Sequence, residues 1–374
     1  MATLTEWPLP LSNNFGFYLR FLTPEKDGTV FYTKYIADKI GELNVKKNTV
    51  REWAIPWHAK PNGNPQGIIY GPDKAIWFAL QMAQAVVRFD PDTSAFTSYG
   101  VAGFPFQLAF DSQGNLWYTA IRGIFGSVGI IGRLDPNAPT SEYWRLPPKV
   151  ILSPMEIWVD SHDNVWFTND DANVGHPGAA FARLFKNKLS YWIVPPGIQS
   201  VYRGIVVDPQ AENVWVTKWY PDDRGSFIVY KYDIHGNHCL AYPNPPSQPF
   251  RSNPYQIRLD SHNNAWYADT SGGIGFIRND AECGEVKLKS GSTSLDSQPM
   301  PVHVARGGSA PVRTPSDPKV TRIKSTPIAC YEEFVLPYGN TSPTGSLALA
   351  HNQPGKVYFG EAGSKSNLIG LLTV

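Results

Sequence analysis

The 374-residue chain has only three cysteines and eight histidines, the residues whose chemistry is easiest to recognise in a sequence. Cys283 and Cys330 stand on either side of a segment rich in Ser, Gly and Pro. A disulfide between them would constrain that segment in an exported protein. Three cysteines leave one unpaired, here Cys239, so free thiols are an equally open alternative.

The charge balance and the hydropathy exclude two classes of partner. Lys and Arg number 33 against 32 Asp and Glu, a net charge of +1, and no block of like charges marks an interaction tail. Nucleic acid is disfavoured as a partner, because phosphate contacts need a basic stripe. No apolar run is long enough to span a bilayer, and Glu6 and Arg20 interrupt the N-terminus where a signal peptide would be apolar. We expect a soluble monomer without a membrane partner, either cytoplasmic or numbered from its mature end.

The composition favours strands over helices. The chain has 33 Pro, 32 Gly, 13% aromatic and only 17% charged residues, which suits many short strands joined by tight turns. No long window free of Pro and Gly carries an apolar stripe at helical spacing. All-β is therefore the predicted class.

A repeat built around a large aromatic residue predicts the architecture. Residues 111–119 read Asp-Ser-Gln-Gly-Asn-Leu-Trp-Tyr-Thr and match residues 160–168 and 260–268 almost position for position. Four looser copies raise the number to seven. The aromatic residues of the seven copies are Phe31, Trp77, Trp117, Trp166, Trp215, Trp266 and Tyr358.

Each copy predicts a β-hairpin, with Asp, Gly and Asn in the turn and the aromatic residue on the second strand. Another pair of strand signals follows each aromatic, so a unit has four strands and about 40 to 50 residues, as a propeller blade does. The sequence thus predicts one domain over residues 1–374, a seven-bladed β-propeller with four-stranded blades. The aromatic residues are expected to pack between the blades.

The long interval between the last two aromatic residues predicts an insertion rather than an eighth blade. Residues 270–318 are rich in Ser, Gly and Pro and contain no aromatic-bearing hairpin. Residues 367–374 give a third-strand signal with no fourth strand after it, whereas residues 5–10 copy the fourth-strand signal of residues 51–56. We expect the N-terminal strand to complete the last blade and to cover its open edge.

The sequence resembles a known family, the streptogramin B (virginiamycin B) lyases and their relatives. The resemblance rests on Asn-Leu-Trp-Tyr-Thr at 115–119, Ile-Gly-Arg-Leu-Asp-Pro at 131–136 and Asn-Pro-Gln-Gly-Ile at 64–68, and covers the chain outside the insertion. It implies a propeller whose enzymes open a cyclic depsipeptide by C–O elimination with bound Mg²⁺, using His and Glu side chains. Fungal biosynthetic proteins that look like this family are implicated in hetero-Diels–Alder couplings, the second activity that the resemblance implies.

The resemblance implies two sets of site positions, on the inner strands and just after the aromatic residues. Where the family has inner-strand His, this chain has Arg20, Gln66, Phe106, Met155, Arg203, Tyr255 and Leu347. Where the family has Glu, it has Lys34, Leu80, Ala120, Asn169, Lys218, Asp269 and Glu361. Only Asp269 and Glu361 could serve a metal, whereas a hard cation needs several oxygens that converge on one point.

A shift of one residue in strand register would turn a different set of side chains toward the site. Glu156 would then be a candidate buried general base. The alternative set is Gly67, Gln107, Glu156, Gly204, Gln256 and Ala348.

Loops expected on the same face, together with the insertion, add aromatic and charged residues around this site. The mixture suits a largely apolar small molecule that carries one or two carbonyl or phenol-type oxygens. We interpret Arg20, Arg203, Tyr255 and Gln66 as catalytic hydrogen-bond donors. The predicted substrate-binding residues are Phe106, Met155, Lys218, Trp219, His176 and Leu347. Salt bridges for the two arginines and a plain loop position for His176 stay open as simpler alternatives.

Three functional hypotheses follow. The first is an enzyme without metal or other cofactor that promotes cyclisation or coupling of an apolar natural product, of the hetero-Diels–Alder type, by positioning and hydrogen bonding. The second is a Mg²⁺-dependent lyase of a cyclic depsipeptide or lactone that uses Asp269 and Glu361. The third is a propeller that binds a ligand without catalysis.

Overall fold

The computed structural model consists of antiparallel β-strands, with a single 3₁₀ turn at Gln81–Ala83 in the part of the chain that it describes. That part contains no helix of the length and hydrophobicity needed to cross a bilayer. The described residues are 2–10, 19–24, 26–56, 63–123, 128–137, 140–170, 179–194, 201–219, 227–236, 238–243, 253–270, 272–285, 287–300, 312–313, 319–323, 325–328, 330–336, 346–349, 353, 355–362 and 367–374.

The strands form seven antiparallel sheets, and in sheets 1 to 5 four consecutive strands of the chain lie side by side. The chain begins with β1 (Ala2–Pro8). Sheet 1 contains β2 (Leu19–Leu22), β3 (Thr29–Lys34), β4 (Lys39–Asn44) and β5 (Thr49–Ala54), and sheet 2 contains β6 (Pro65–Tyr70), β7 (Ile76–Leu80), β8 (Ala85–Asp90) and β9 (Ala95–Gly100). Sheet 3 contains β10 (Phe104–Phe110), β11 (Leu116–Arg122), β12 (Val128–Asp135) and β13 (Thr140–Arg145), and sheet 4 contains β14 (Pro154–Val159), β15 (Val165–Asn169), β16 (Phe181–Phe185) and β17 (Lys188–Ile193). Sheet 5 contains β18 (Val201–Val207), β19 (Asn213–Trp219), β20 (Phe227–Asp233) and β21 (Cys239–Pro243).

The last two sheets depart from simple chain order. Sheet 6 contains β22 (Pro254–Leu259), β23 (Ala265–Asp269) and β24 (Gly273–Ile277), and its fourth strand is β31 (Tyr331–Val335). Sheet 7 contains β32 (Ser346–Leu349), β33 (Lys356–Ala362) and β34 (Asn367–Thr373), followed by β1, whose Glu6 pairs with Gly370. The N-terminal strand thus completes the last sheet, and the predicted all-β class with seven four-stranded blades is confirmed.

The insertion ends later in the chain than predicted, and its described strands lie at the outer edges of the sheets rather than around the predicted site. It covers residues 278–330, between β24 and β31, and its described strands each pair antiparallel with the outermost strand of a sheet. Backbone groups at an open sheet edge need partners, and this segment supplies them. In order they are β25 (Gly284–Glu285) on β21, β26 (Lys289–Ser294) on β17, β27 (Ser297–Met300) on β13, β28 (Val312–Arg313) on β5, β29 (Lys319–Ile323) on β1 and β30 (Ser325–Ile328) on β31.

Of the two alternatives for the cysteines, the structure has the disulfide. Cys283 and Cys330 are disulfide-bonded, and Cys239 is a free, buried thiol. Burial raises the pKa of the Cys239 thiol to about 12, so it stays protonated and unreactive at neutral pH.

Contacts divide the chain into two compact units with separate cores. The first unit comprises Met1–Tyr99, Arg258–Asn279 and His303–Val374, and the second comprises Gly100–Ile257 and Asp280–Val302. In each unit the core lies between neighbouring sheets, where the repeated aromatic residues are buried as predicted. In the second unit, for example, Trp166 of sheet 4 shares a buried cluster with Ile205 and Val216 of sheet 5.

The repeated hairpin turn is held together by its first residue. In sheet 4 the Asp160 carboxylate accepts hydrogen bonds from the backbone N–H of His162 and Asn164, both at 2.9 Å, and from the Trp166 indole at 2.8 Å. Asp163 occupies the left-handed region with φ 59°, which Asp, Asn and Gly adopt most readily. The motif therefore combines a turn with an anchor for the buried aromatic ring.

Replacing Asp160 by Asn tests this anchor. An amide nitrogen in place of Oδ2 would face two donors, Trp166 Nε1 and Asn164 Nδ2, so we expect the free energy of unfolding to fall by about 1–3 kcal/mol. Urea unfolding followed by fluorescence measures it, with exposed Asp92→Asn as the matched control. Equal midpoints for the two variants would refute the anchoring role.

Candidate functional site

A β-bulge in the first strand of sheets 1 to 5 presents the predicted inner-strand residues. In sheet 4, Pro154 pairs with Asn169 and Ile157 with Phe167, so Met155 and Glu156 together oppose one residue of the next strand. Both alternatives for the strand register therefore fall within one bulge. The sequence could not choose between them because the structure uses both residues.

The second unit brings Met155, Arg203 and Tyr255 together from sheets 4, 5 and 6. The guanidinium carbon of Arg203 lies 4.5 Å from the Trp219 ring centroid and 5.2 Å from that of Tyr255. Arg203 Nη1 donates to the Tyr255 hydroxyl at 3.4 Å and lies 4.0 Å from Met155 Sδ. The result is a cation held between aromatic walls, which we call the Arg203 cluster (Met155, Arg203, Trp219 and Tyr255).

An ion pair fixes the orientation of Arg203. Its Nη2 lies 2.8 Å from Asp170 Oδ2, and the two side chains are only 14% and 18% exposed. At this partial burial the attraction is screened less than on the open surface. Arg203 Nε is buried without a hydrogen-bond partner among the described residues.

A polar layer joins the second residues of the bulges in sheets 3 and 4 to Gln256 on the first strand of sheet 6. Gln256 Nε2 donates to both carboxylate oxygens of Glu156, at 3.1 and 3.2 Å, and Gln107 Nε2 lies 3.5 Å from Glu156 Oε2. All three side chains are buried. Gly204, on the strand between them, has no room for a side chain, since a Cβ there would lie 2.5 Å from the Tyr255 carbonyl oxygen. We therefore assign Glu156 to a buried hydrogen-bonded layer rather than to the general-base role considered from the sequence.

Arg20 and Gln66 meet in the first unit. Arg20 Nε donates to Gln66 Oε1 at 3.1 Å, and Gln66 Nε2 donates onward to Gln81 Oε1 at 2.9 Å. The Arg20 guanidinium also lies 5.8 Å from the Tyr35 ring centroid. This chain of polar groups satisfies Gln66, which is buried.

The other predicted substrate-binding residues fall into two groups. Phe106 occupies the bulge of sheet 3, and Lys218 of β19 pairs with Tyr202 of β18. Phe106 and Lys218 are both buried. Leu347 lies on β32 opposite Phe359, with its backbone alone described, and His176 lies outside the described residues. Of the histidines, His162, His235, His238 and His262 are described, and they stand in or beside turns.

The two candidate metal ligands are both buried in the first unit. Asp269 ends β23 and Glu361 lies on β33, each 1% exposed. Both carboxylate oxygens of Glu361 are without a hydrogen-bond partner among the described residues, and burial, followed by the nearby charge of Glu6, raises its pKa to about 8. Glu361 therefore carries a proton at neutral pH. In the described part of the chain no three His, Cys, Asp or Glu side chains are grouped as a metal ion would require.

Glu361 makes stability depend on pH. Between about pH 4.5 and 8 the folded protein keeps a proton that the unfolded chain has lost, so the free energy of unfolding falls as pH rises. The stabilisation that the protonated Glu361 gives the folded state is fully present below about pH 4.5. It declines by up to about 1.4 kcal/mol per pH unit as pH rises and is lost above about pH 8. We expect Glu361→Gln to flatten the decline in urea unfolding across this range, and exposed Glu212→Gln to preserve it. Parallel pH profiles for wild type and Glu361→Gln would exclude this assignment.

Comparisons with solved structures show the fold. The chain matches a catalytically inactive virginiamycin B lyase from Staphylococcus aureus with quinupristin at a TM-score of 0.70 and 15% identity, over 100% of both chains. It matches a selenomethionine-substituted virginiamycin B lyase from the same organism at 0.68 and 16%, over 100% of both, and a streptogramin B lyase structure at 0.69 and 19%, over 100% of this chain and 98% of that one. The shared fold is a seven-bladed β-propeller.

The family assignment comes from the sequence. No curated protein matches the chain. The model of the virginiamycin B lyase family matches residues 2–218, more than half of the chain, and this match contains five of the seven copies of the aromatic repeat. The chain belongs to the virginiamycin B lyase family.

Proposed function

We propose that this protein is an enzyme that binds a largely apolar small molecule at the Arg203 cluster and promotes its cyclisation or coupling, of the hetero-Diels–Alder type, by positioning and hydrogen bonding. The observation that carries the proposal is the guanidinium of Arg203, ion-paired to Asp170 and stacked between Trp219 and Tyr255. It stands where the family resemblance implies an imidazole. Membership in a family that modifies small molecules supports the general class of activity.

The cluster offers two kinds of contact to a substrate. Trp219 and Tyr255 supply aromatic surface, on which flat apolar groups pack well. Arg203 supplies charged N–H donors, which make stronger hydrogen bonds than neutral donors. A carbonyl or phenol-type oxygen on an otherwise apolar ligand would satisfy both.

A hetero-Diels–Alder coupling needs only these contacts. An unsaturated carbonyl compound and an alkene form one C–C and one C–O bond from π electrons, no σ bond breaks, and no proton or leaving group is transferred. Negative charge that builds on the carbonyl oxygen in the transition state is stabilised by a donor already in place. Holding the two partners in reacting geometry lowers the barrier further, by up to about 7–11 kcal/mol in well-oriented cases.

Magnesium does not fit the Arg203 cluster. Its side chains are a guanidinium, a phenol, a thioether and an indole, and the adjacent carboxylate of Asp170 is already paired with Arg203. A dication would be repelled by the guanidinium and would find too few oxygens. A bound Mg²⁺ therefore has no part in the proposed reaction.

Substitution of Arg203 tests the proposal. We expect Arg203→Ala to weaken binding of the aromatic lactone 4-methylumbelliferone, followed by its fluorescence, by about 10- to 100-fold, since a hydrogen bond to a charged group contributes about 1.5–3 kcal/mol. The coupling of benzylideneacetone with ethyl vinyl ether, read as dihydropyran by mass spectrometry, should slow in parallel.

The matched control is Arg183→Ala. Arg183 also stacks on a tryptophan, 5.3 Å from the Trp166 ring centroid, on the third strand of sheet 4. It should leave binding and coupling unchanged. An Arg203→Ala variant that binds the probe and couples the reactants like wild type would eliminate the Arg203 cluster as the site.

Ring opening of quinupristin distinguishes the lyase hypothesis. Two buried carboxyl residues of the first unit, Asp269 and Glu361, are the groups that such a reaction would use. We expect no ring-opened product by mass spectrometry, with or without added Mg²⁺. Product that forms with Mg²⁺, disappears with EDTA and is lost in Glu361→Gln would favour the metal-dependent lyase instead.

A further inference from the structure

The bulges that present the site residues leave backbone groups to be satisfied. A bulge sets two residues against one on the partner strand, so one backbone N–H loses its partner in the ladder. In sheets 3, 4 and 5 the opposing residue is Thr119, Thr168 or Thr217, two positions after the repeated tryptophan. All three threonines are fully buried.

Each threonine hydroxyl makes two hydrogen bonds, one in its own sheet and one to the next. Thr168 Oγ1 accepts from the bulge N–H of Glu156 at 3.2 Å and donates to the Arg203 carbonyl at 2.7 Å. Thr217 Oγ1 accepts from Gly204 N at 2.7 Å and donates to the Tyr255 carbonyl at 2.8 Å.

Thr119 repeats this arrangement one sheet earlier. Its Oγ1 accepts from Gln107 N at 3.1 Å and donates to the Met155 carbonyl at 2.6 Å. A hydroxyl has one hydrogen and two lone pairs, so it can accept and donate at once.

The three consecutive joints end on the three first-strand residues of the Arg203 cluster. Met155, Arg203 and Tyr255 each have their carbonyl fixed by a threonine of the preceding sheet, and their side chains meet. Thr33 makes the same joint in sheet 1, where its Oγ1 accepts from Phe21 N at 3.1 Å and donates to the Gln66 carbonyl at 3.0 Å. Sheets 2 and 6 lack this hydroxyl, because Ala79 and Ala268 stand at the corresponding place in the repeat. A sheet of this type therefore forms without the threonine.

We propose that Thr119, Thr168 and Thr217 are positioning residues, whose hydroxyls set the spacing of Met155, Arg203 and Tyr255 by linking the first strands of sheets 3 to 6. This rests on the proposed function, since the cluster that they space is the proposed binding site. Valine in place of threonine keeps the shape and removes the link, leaving one N–H and one carbonyl without a partner at each joint. Serine keeps the link.

The methionine methyl groups give a readout that is independent of turnover. The chain has four methionines, so a spectrum of methyl-¹³C-methionine is simple, and Met155→Leu identifies the Met155 signal. We expect Thr168→Val/Thr217→Val to move the Met155 resonance and to weaken 4-methylumbelliferone binding about tenfold. Thr168→Ser/Thr217→Ser should keep both near wild type.

A matched control separates positioning from stability. Thr23 is also fully buried, and its Oγ1 accepts the Phe31 N–H at 2.9 Å in sheet 1. Thr23→Val should lower the melting temperature to a similar extent while the Met155 resonance and the dissociation constant stay unchanged. Should the double valine variant not fold, Thr168→Val and Thr217→Val are each measured alone.

Two results would overturn the proposal: folded valine variants with an unmoved Met155 resonance and unchanged probe affinity, or serine variants that behave like the valine ones. Failure of the proposed function looks different. In that case Arg203→Ala leaves the probe affinity unchanged, while the valine variants still move the Met155 resonance because the strands have shifted.

Discussion

The repeated sheets depend on one constraint. An Asp carboxylate accepts hydrogen bonds from the N–H groups of a hairpin turn and from an indole N–H. Asp111, Asp160 and Asp260 each close their own turn and hold the N–H of the tryptophan six residues later. That ring then lies buried among neighbouring sheets, so its position sets the register of the second strand. The residue opposite the first-strand bulge, and hence the residues that the bulge presents, follow from this register. Where the turn is one residue longer, after Asp208, the Trp215 indole N–H is buried without a hydrogen-bond partner among the described residues.

Within this frame the chemistry of the inner strands is set by which side chains occupy the bulges. In the second unit they place a cation beside two aromatic rings, and Asp170 compensates its charge from the end of another strand. The second residues of the same bulges carry a different function, because Glu156 is held by amide donors from Gln107 and Gln256. The layer that we propose for binding thus lies beside a layer that ties strands together. A cation and an anion can share a small volume in this way only if each has its own hydrogen-bond partners.

The insertion solves a different problem, that of sheet edges. A long outer strand exposes N–H and C=O groups that can pair with another chain. The described strands of the insertion pair, in chain order, with the outermost strands of sheets 5, 4, 3, 1, 7 and 6. Its strand β26 reads Lys-Ser-Gly-Ser-Thr-Ser and is mostly exposed, which suits a strand that faces solvent on its far side. With both Cys283 and Cys330 oxidised, the two ends of this segment are covalently anchored.

The sequence by itself determined what repeats. Seven copies of a hairpin with a fixed aromatic position predicted the sheets, their four strands and the use of the N-terminal strand in sheet 7, because turn chemistry and burial of large rings are local signals that recur. It also pointed to Arg203, Tyr255 and Met155, since their place in the repeat is countable. Only the tertiary structure decided that these three meet while Arg20 and Gln66 form a separate polar chain. The pairing of Asp170 with Arg203 and the threonine joints were missed for the same reason, as their bonds join residues far apart in the chain. The insertion escaped prediction as a set of strands because backbone pairing at a sheet edge, rather than side-chain pattern, forms them.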